Sequence, residues 1–371
     1  MLLSVVRREK RRRWALVAAV AVTLIAVPAA VKAVAPSSAQ ADAGRLRTLI
    51  LRSAPQPYQG YAESVGSMAL PELPNSGNLT SLLNGKTRLR VWYASPEESR
   101  VSVLTAAGEQ DIYRTIGNAY SWDYETNLLT QLVGEPPIRT PRAGDLLPPE
   151  LARRLLGAVP QDPVTPLPSR RIAGIAAPGL RLIPADPATT LGQIDVWADQ
   201  ITGLPLAVEV TARGQNSPVL TTAFAELRQT RPLLDFPARL PGSGYSVTNA
   251  PDIAYDLGAL AQVQLPGKIA GRELRTGAEN SQGAGVYGSG LAAFVVVAVP
   301  RDLGAAISDA AARAGSAPVQ LNTGNGQALQ ISPASLLIVR STKTRRWFLL
   351  AGTVTPGLLH LAATELSGLP R

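Results

Sequence analysis

His360 is the only histidine of the chain, and there is no cysteine. These two counts remove most of what side chains can do chemically. Without thiols there are no disulfides, thiolate metal sites or Cys nucleophiles. One histidine cannot assemble a multi-His metal site, and its nearest acid in sequence, Glu365, is not at the helical i+4 position. Acyl transfer would therefore need a Ser-Lys or carboxylate arrangement. The acid pairs in view are Glu97 with Glu98 on a predicted turn and Asp195 with Asp199 on a predicted hairpin, where carboxylates are ordinarily solvated. Gly283, Gly285 and Gly288 spell G-x-G-x-x-G, which cradles a dinucleotide only after a strand and at the opening of a helix. Here the motif follows a polar stretch and leads into a strand-like run, so a glycine turn between strands is expected. The reading is a non-enzyme with no catalytic residues, no metal and no cofactor. A hydrolase whose carboxylates converge from distant strands is the remaining enzyme alternative.

The other residues of interest are aromatic. Trp92, Trp122, Tyr124 and Trp197 fall in predicted strands, where they either pack as ordinary cross-strand aromatics or line an apolar groove. We take them as the candidate ligand-groove residues.

The elements that must position them are mostly strands. Arg88 to Val133 breaks into strand-like runs at Leu89 to Tyr93, Arg100 to Leu104, Gln110 to Thr115, Ala119 to Tyr124 and Leu128 to Val133. Turn chemistry separates them, so they predict an antiparallel meander. Leu89, Val91 and Tyr93 alternate with Arg88, Arg90 and Trp92, as in a sheet packed on one side. Before this lie a short amphipathic helix at Ala43 to Ser53 and a strand at Tyr58 to Ser67, with a loop from Leu70 to Gly85. After it come a Pro-opened helix at Asp145 to Gly157 and strands at Arg171 to Ile183, Gln193 to Ala198, Leu206 to Ala212 and Leu220 to Leu227.

Leu240 to Pro251 is rich in Pro, Gly, Ser and Asn and reads as a linker. Beyond it the pattern is mixed. Helices are expected near Ile253 to Ala261 and at Arg301 to Ala314 and Pro356 to Leu366, the last with Thr355 as N-cap. The strands expected there are Ile269 to Leu274, Leu291 to Val299, Gln327 to Ile331, Ser335 to Val339 and Trp347 to Val354.

Length and charge fit this division. At 371 residues the chain exceeds the size at which one core stops growing. Apolar residues make up 46% and charged residues 17%, a globular balance. Most of the +9 formal charge sits ahead of residue 42. The body has no basic stripe interleaved with stacking aromatics, so nucleic acid is not expected as a partner.

Arg7, Arg8, Lys10, Arg11, Arg12 and Arg13 instead precede an uncharged apolar run from Trp14 to Val31. This is the pattern of a signal or anchor, in which Trp14, Leu16, Val22, Leu24 and Ile25 would sit in the membrane. The positive-inside rule keeps the cluster cytoplasmic and exports everything after it. A retained anchor places the protein on the cell membrane with one N-terminal span. Cleavage at the small-x-small site Ala39 and Ala41 would release it.

Two segments, TRLRVWYASPEESRVSV and AYSWDYETNLLTQL, carry an R-x-R/W step at Arg88 to Trp92, a Pro turn at Pro96 and a W-x-Y hairpin at Trp122 to Tyr124. With YQGY at Tyr58 to Tyr61 and the hairpin Ile194 to Val210, they resemble the LolA-like superfamily, and within it the RseB/MucB-type sigma-E regulatory proteins. The resemblance covers about two hundred residues, 43–240. It implies an unclosed half β-barrel with covering helices and a lipid-sized apolar groove, followed by a smaller C-terminal α+β domain. The fold class expected is thus mixed and β-rich α+β. The expected divisions are a cytoplasmic and anchor segment at 1–41, a LolA/RseB-like domain at 42–240, a linker at 241–251 and a second domain at 252–371. The resemblance further implies a tethered sensor or regulator that binds a lipid or lipoprotein acyl chain and a membrane partner such as an anti-sigma factor. A lipid or lipoprotein carrier is the alternative.

Overall fold

The computed structural model describes residues 42–68, 82–104, 108–134, 141–234, 236, 243–250, 263–275 and 283–370. The segment carrying Trp14, Leu16, Val22, Leu24 and Ile25, and the helix expected near 253–261, lie outside the described residues. Among those described, no helix is long and apolar enough to cross a membrane.

The predicted meander is present. Strands β1 (Tyr58–Ser67), β2 (Asn84–Tyr93), β3 (Ser99–Leu104), β4 (Glu109–Thr115), β5 (Asn118–Asp123) and β6 (Leu128–Val133) pair in sequence, each antiparallel to the next. A second run of β7 (Val164–Ile172), β8 (Ile175–Leu182), β9 (Leu191–Ala198), β10 (Pro205–Ala212) and β11 (Leu220–Arg228) joins it through β11 on β1. With β12 (Gly244–Asn249) the result is one twelve-stranded sheet, in the order β12-β6-β5-β4-β3-β2-β1-β11-β10-β9-β8-β7. Its two ends do not pair, so it is an unclosed barrel of the expected kind.

Several elements differ from the sequence expectation. Arg171 to Ile183 is a hairpin rather than one strand. It turns at Ala173 and Gly174, with φ of 47° and 82°. Ile269 to Leu274 is likewise broken at Ala270 and Gly271, φ 49° and 73°, between β13 (Lys268–Ile269) and β14 (Arg272–Glu273). Two positive φ angles in succession make the tight turn that suits strand twist, but alanine stands where Asn or Asp would have announced it. Pro166 and Pro168 argue against a strand at β7, yet β7 lies at the edge of the sheet, where a missing N–H costs little. Within the stretch read as a linker, β12 pairs parallel to β6, with Tyr245 opposite Leu129 and Val247 opposite Gln131.

Helix α1 (Ala43–Arg52) starts where Asp42 Oδ1 accepts the N–H of Gly44 at 2.9 Å. It buries Leu46 and Ile50 on the sheet. A 3₁₀ turn (Ala143–Leu146) leads into α2 (Pro148–Ala158), which buries Leu151, Ala152 and Leu156. The two helices are fastened by one side chain. The buried Arg47 guanidinium of α1 donates to the carbonyls of Leu156 at 3.0 Å, of Asp162 at 2.5 Å, and of Val159. A cation there satisfies carbonyls that a helix C-terminus leaves open, and it lies at the negative end of the helix dipole. Burial lowers the Arg47 pKa, partly offset by Asp162.

The second sheet has the order β15 (Ala284–Tyr287), β16 (Phe294–Val299), β20 (Trp347–Gly352), β19 (Ala334–Ser341), β18 (Gly324–Ile331) and β17 (Ala317–Leu321). Helix α3 (Arg301–Arg313) packs Ile307 against Val297 and Ile338 on one face. Helix α4 (Pro356–Ser367) packs Leu359, Ala362 and Leu366 against Leu337, Val339 and Leu350 on the other. Gly304 is what lets α3 lie on Trp347, since a Cβ there would fall 2.5 Å from the indole. The glycines of G-x-G-x-x-G open no helix, but the motif is not the expected turn either: Gly283 and Gly288 flank β15 and Gly285 lies within it.

Ala41–Arg371 forms one compact unit, and the strip 186–190 fastens the second sheet to the first. Asp186 takes both terminal nitrogens of Arg272, at 2.8 and 3.2 Å. Thr189 Oγ1 lies 2.9 Å from the carbonyl of Thr353 and 3.1 Å from that of Leu291. The N–H of Thr355 donates to Ala188 at 2.8 Å.

Replacing Arg47 with Ala should strand several buried carbonyls. The expected loss is about 2–3 kcal/mol, from the worth of hydrogen bonds to charged groups. Urea denaturation measures it, and hydrogen exchange should show residues 43–52 opening first. A second expectation concerns pH. The hydrogen bonds from Arg272 hold the Asp186 carboxyl below its usual range, with burial opposing and the N–H of Ala188 assisting. The stability this contributes is complete above the unfolded-state value of about 3.9 and is lost as pH falls through the lower folded value. The melting-temperature gap between wild type and Asp186→Ala should therefore be present near neutral pH and close progressively on acidification below about pH 4.

Candidate functional site

Strand register settles which side chains share a face. On the helix-covered face, Tyr58 lies opposite Tyr93, Ala62 opposite Leu89, Val91 opposite Val101, and Val101 opposite Ile112. The helices do not reach all of this surface. Between β1 to β4 below and the 3₁₀ turn with α2 above lies a cavity of about 540 Å³.

Tyr58, Tyr93, Val101 and Ile112 give it an apolar floor. Tyr58 and Tyr93 stack with ring centroids 4.8 Å apart, and Phe224 meets Tyr58 edge-on at 5.7 Å. The Tyr93 hydroxyl donates to the carbonyl of Ala54 at 2.7 Å. The Tyr58 hydroxyl has no partner among the described residues, although the side chain is fully buried. Such a group costs about 1–3 kcal/mol unless something binds it. Burial raises both phenol pKa values, Tyr58 well above the ordinary value and Tyr93 up to about 12, so both are neutral donors at physiological pH.

The rim is cationic: Arg114, Arg142, Arg153 and Arg154 outnumber Asp145 and Glu150. Arg153 is committed to Glu150 and, at 3.3 Å, to Ser53 Oγ. Asp145 Oδ2 accepts the backbone N–H of Arg142 at 2.7 Å, while Arg154, largely exposed, stands 3.6 Å from Asp145 Oδ1. An apolar floor with a cationic mouth suits an acyl chain whose head carries negative charge.

None of Trp92, Trp122, Tyr124 and Trp197 lines this cavity. Trp92, Trp122 and Trp197 lie on the other face of the sheet. Trp92 is opposite Arg100, whose guanidinium sits 4.6 Å above its ring. Trp122 is opposite Asp111 and Leu129 and is buried with Tyr113 and Leu129 in a small separate core. Trp197 is covered by the Arg170 guanidinium at 3.6 Å and donates to the carbonyl of Pro168 at 3.1 Å. Tyr124 is half exposed at the turn after β5 and meets Trp122 edge-on at 5.7 Å.

A carboxylate organises this opposite face. Asp111 is fully buried and receives Arg100 at 2.7 Å, Tyr113 at 2.9 Å, Tyr124 at 3.2 Å and Ser102. With this many donors the charge is satisfied, which makes it a structural anchor. Burial first, then Asp111, raises the Tyr113 phenol.

The expected acid pairs do not meet as a catalytic dyad. Asp195 and Asp199 are buried rather than solvated. Asp195 accepts a bidentate Arg181 at 2.7 and 2.6 Å. Asp199 caps the hairpin loop through the N–H groups of Ile201 at 2.7 Å and Thr202 at 2.9 Å. Burial would raise the Asp199 pKa, but these donors and the Gln229 amide bring it below the ordinary value. Glu98 pairs on the surface with Arg231. Among the described residues no group of three or more acids or histidines could hold a metal.

Tyr58 and the arginines of α2 were not singled out from sequence. The available signal was a tyrosine on the apolar side of β1, in register with another on β2.

No family model and no curated protein matches the chain. Among solved structures it is similar to MucB in complex with MucA(peri), at 17% identity and a TM-score of 0.46, over 87% of this chain and 97% of that one. It is also similar to the MucA/MucB complex of Pseudomonas aeruginosa, at 16% identity and a TM-score of 0.45 over 87% and 97%. A LolA superfamily protein of Nitrosomonas europaea matches at 14% identity and a TM-score of 0.21, over 52% of this chain and 94% of that one.

Trp122→Ala should act on stability rather than on the cavity. It is expected to cost about 3–5 kcal/mol, as for a large aromatic removed from a core. Chemical denaturation checks the loss, and uptake of an acyl probe by the folded fraction should be unchanged.

Proposed function

We propose that this protein is a non-enzymatic, extracytoplasmic binding module, tethered by its N-terminal segment, that holds one acyl chain in the cavity between β1–β4 and α2. The cavity itself carries the reading, because its floor of Tyr93, Val101 and Ile112 is apolar while its rim holds four arginines against two acids. Ten buried methylenes would contribute about 8 kcal/mol before association costs. The cationic rim adds a preference for an anionic head, such as the phosphate of a lipid. The cluster Arg7 to Arg13 ahead of the apolar run supports export and tethering.

The sequence resemblance to RseB-type proteins supports a regulatory role, in which the occupied state is passed to a membrane partner of the anti-sigma kind. A LolA-like carrier is the second reading. It requires the mature chain to begin after residue 41, and intact-mass measurement of the N-terminus separates the two.

The cavity is tested with an acylated peptide as probe. Wild type should take it up saturably. Ile112→Trp, which puts an indole into the cavity, should abolish uptake with the fold intact by circular dichroism. Tyr58→Phe should leave stability unchanged or raise it by about 1 kcal/mol, with uptake of the probe unchanged, since the Tyr58 hydroxyl is closed off from the cavity. Saturable uptake by Ile112→Trp equal to that of wild type would overturn the proposal.

A further inference from the structure

One end of the twelve-stranded sheet carries apolar side chains out into solvent. Register places the β2–β3, β4–β5 and β9–β10 turns at this end, together with the start of β1 and the end of β11. Tyr58 lies opposite Tyr93, Ser99 opposite Arg114, Gln59 opposite Arg228 and Pro205 opposite Ala198. Of the large apolar side chains among the described residues, the three most exposed are Leu233 at 95%, Ile201 at 80% and Ile116 at 75%. All three stand on this rim.

The backbone behind them is fixed. Asp199 accepts the N–H groups of Ile201 at 2.7 Å and Thr202 at 2.9 Å, and Gln229 donates to it at 2.9 Å. Gly203, at φ 70°, rests this loop on α1 so closely that a Cβ would fall 2.5 Å from the Leu49 carbonyl. Leu233 follows a segment that crosses the strand ends, tied by Thr230 to Gln59 at 3.3 Å and by Arg231 to Glu98 at 3.0 Å. Ile116 sits in the tight turn between β4 and β5, beside Gly117 at φ 78°. Single exposed apolar residues need no explanation, but three gathered on one built rim mark a contact surface.

Charge says what kind. Arg52 at the end of α1 and Arg228 at the end of β11 are exposed, and their guanidinium groups pair with no acid among the described residues. Of the acids on the rim, Glu98 is taken by Arg231, Asp199 by its own loop and Glu97 by the Ser95 hydroxyl. The apolar side chains stand singly over about 30 Å of strand ends, at about 4.8 Å per strand, which fits a plane and not a groove for one peptide. A bilayer with anionic headgroups is such a plane: guanidinium groups meet the phosphates and apolar side chains reach the acyl boundary.

We propose that this rim docks on an anionic bilayer surface, with Ile116, Ile201 and Leu233 entering the interface and Arg52 and Arg228 pairing with lipid phosphates. The inference rests on the tethered reading. If the run Trp14 to Val31 spans the membrane, the eleven residues from Lys32 to Asp42 hold α1 within about 40 Å of it even when fully extended. Ala54, Pro96 and Arg114 of this end also line the acyl cavity, so docking carries that lining to the lipid.

The chain has no cysteine, so a single fluorophore can be placed on Gln200→Cys beside Ile201, or on Asn216→Cys in the β10–β11 turn at the opposite end of the sheet. The full chain is inserted in nanodiscs of phosphatidylcholine with or without phosphatidylglycerol, and quenching by nitroxide-labelled lipid is read. Quenching should be strong at Gln200→Cys in anionic discs, weaker in neutral discs, and absent at Asn216→Cys. Ile201→Asp with Leu233→Asp should reduce it to the Asn216→Cys level. Arg52→Glu with Arg228→Glu should reduce it several-fold in anionic discs only. All four side chains are exposed, so both pairs should keep the wild-type melting temperature. Both should also take up the acylated peptide as wild type does, and Ile112→Trp should dock as wild type does, which separates this surface from the acyl cavity. A chain that does not enter the discs would remove the tether and this docking with it. In a chain that has entered them, equal quenching at the two labels, or quenching unchanged by the aspartate pair, would overturn the docking alone.

Discussion

A twelve-stranded sheet that does not close has more apolar surface than two short helices can cover, and the rest of the first fold unit follows from that mismatch. Helix α1 sits over β7 and β8, and α2 over β10 and β11. Arg47 makes this work, because it ties the interior of α1 to the open carbonyls after Leu156 and so fixes two helices as one lid. A lid of that size leaves a cavity at its margin, over β1 to β4.

Past the margin the sheet changes sides. On the strands under the lid the apolar residues face the helices, as Leu89, Val91, Leu180 and Val196 do. On β4 to β6 the buried aromatics turn to the opposite face, while Ser121 and Thr130 hold the side the lid does not reach. An uncovered apolar surface there would be exposed to water. The reversed face gets its own small core, pinned by the Asp111 carboxylate and the guanidinium and hydroxyls that saturate it. The arrangement spends a buried charge on fixing side chains in a thin layer, where packing alone specifies little.

A smaller cavity of about 400 Å³ beside α4 shares its construction with the one beside α2. Each opens beside a helix that begins with proline and whose N-cap residue, Leu147 or Thr355, supplies no side-chain cap. Each is bordered by a buried residue whose hydroxyl has no partner among the described residues, Tyr58 at the first and Ser335 at the second. The strip 186–190 lies between the two sheets, and its Ala188 carbonyl receives the N–H of Thr355 at the helix start. The second cavity therefore borders the seam that holds the sheets together.

Period-two alternation and turn residues were enough to read the meander from Arg88 to Val133. The Thr355-Pro356 start with its leucine spacing was enough to place α4, since those signals are local and the structure agrees with them. Counts alone removed thiol and multi-histidine chemistry. Tertiary structure decided what depends on a partner. β7 tolerates its prolines only because it is an edge, and the linker-like 244–249 becomes a strand only because β6 offers it an open one. The aromatic residues show the same limit. Alternation says that Trp92, Trp122 and Trp197 each share a face with every second neighbour, but not which face the helices cover. That choice is made by where α1 and α2 dock, and it put Tyr58 and Tyr93 at the cavity and the tryptophans behind it.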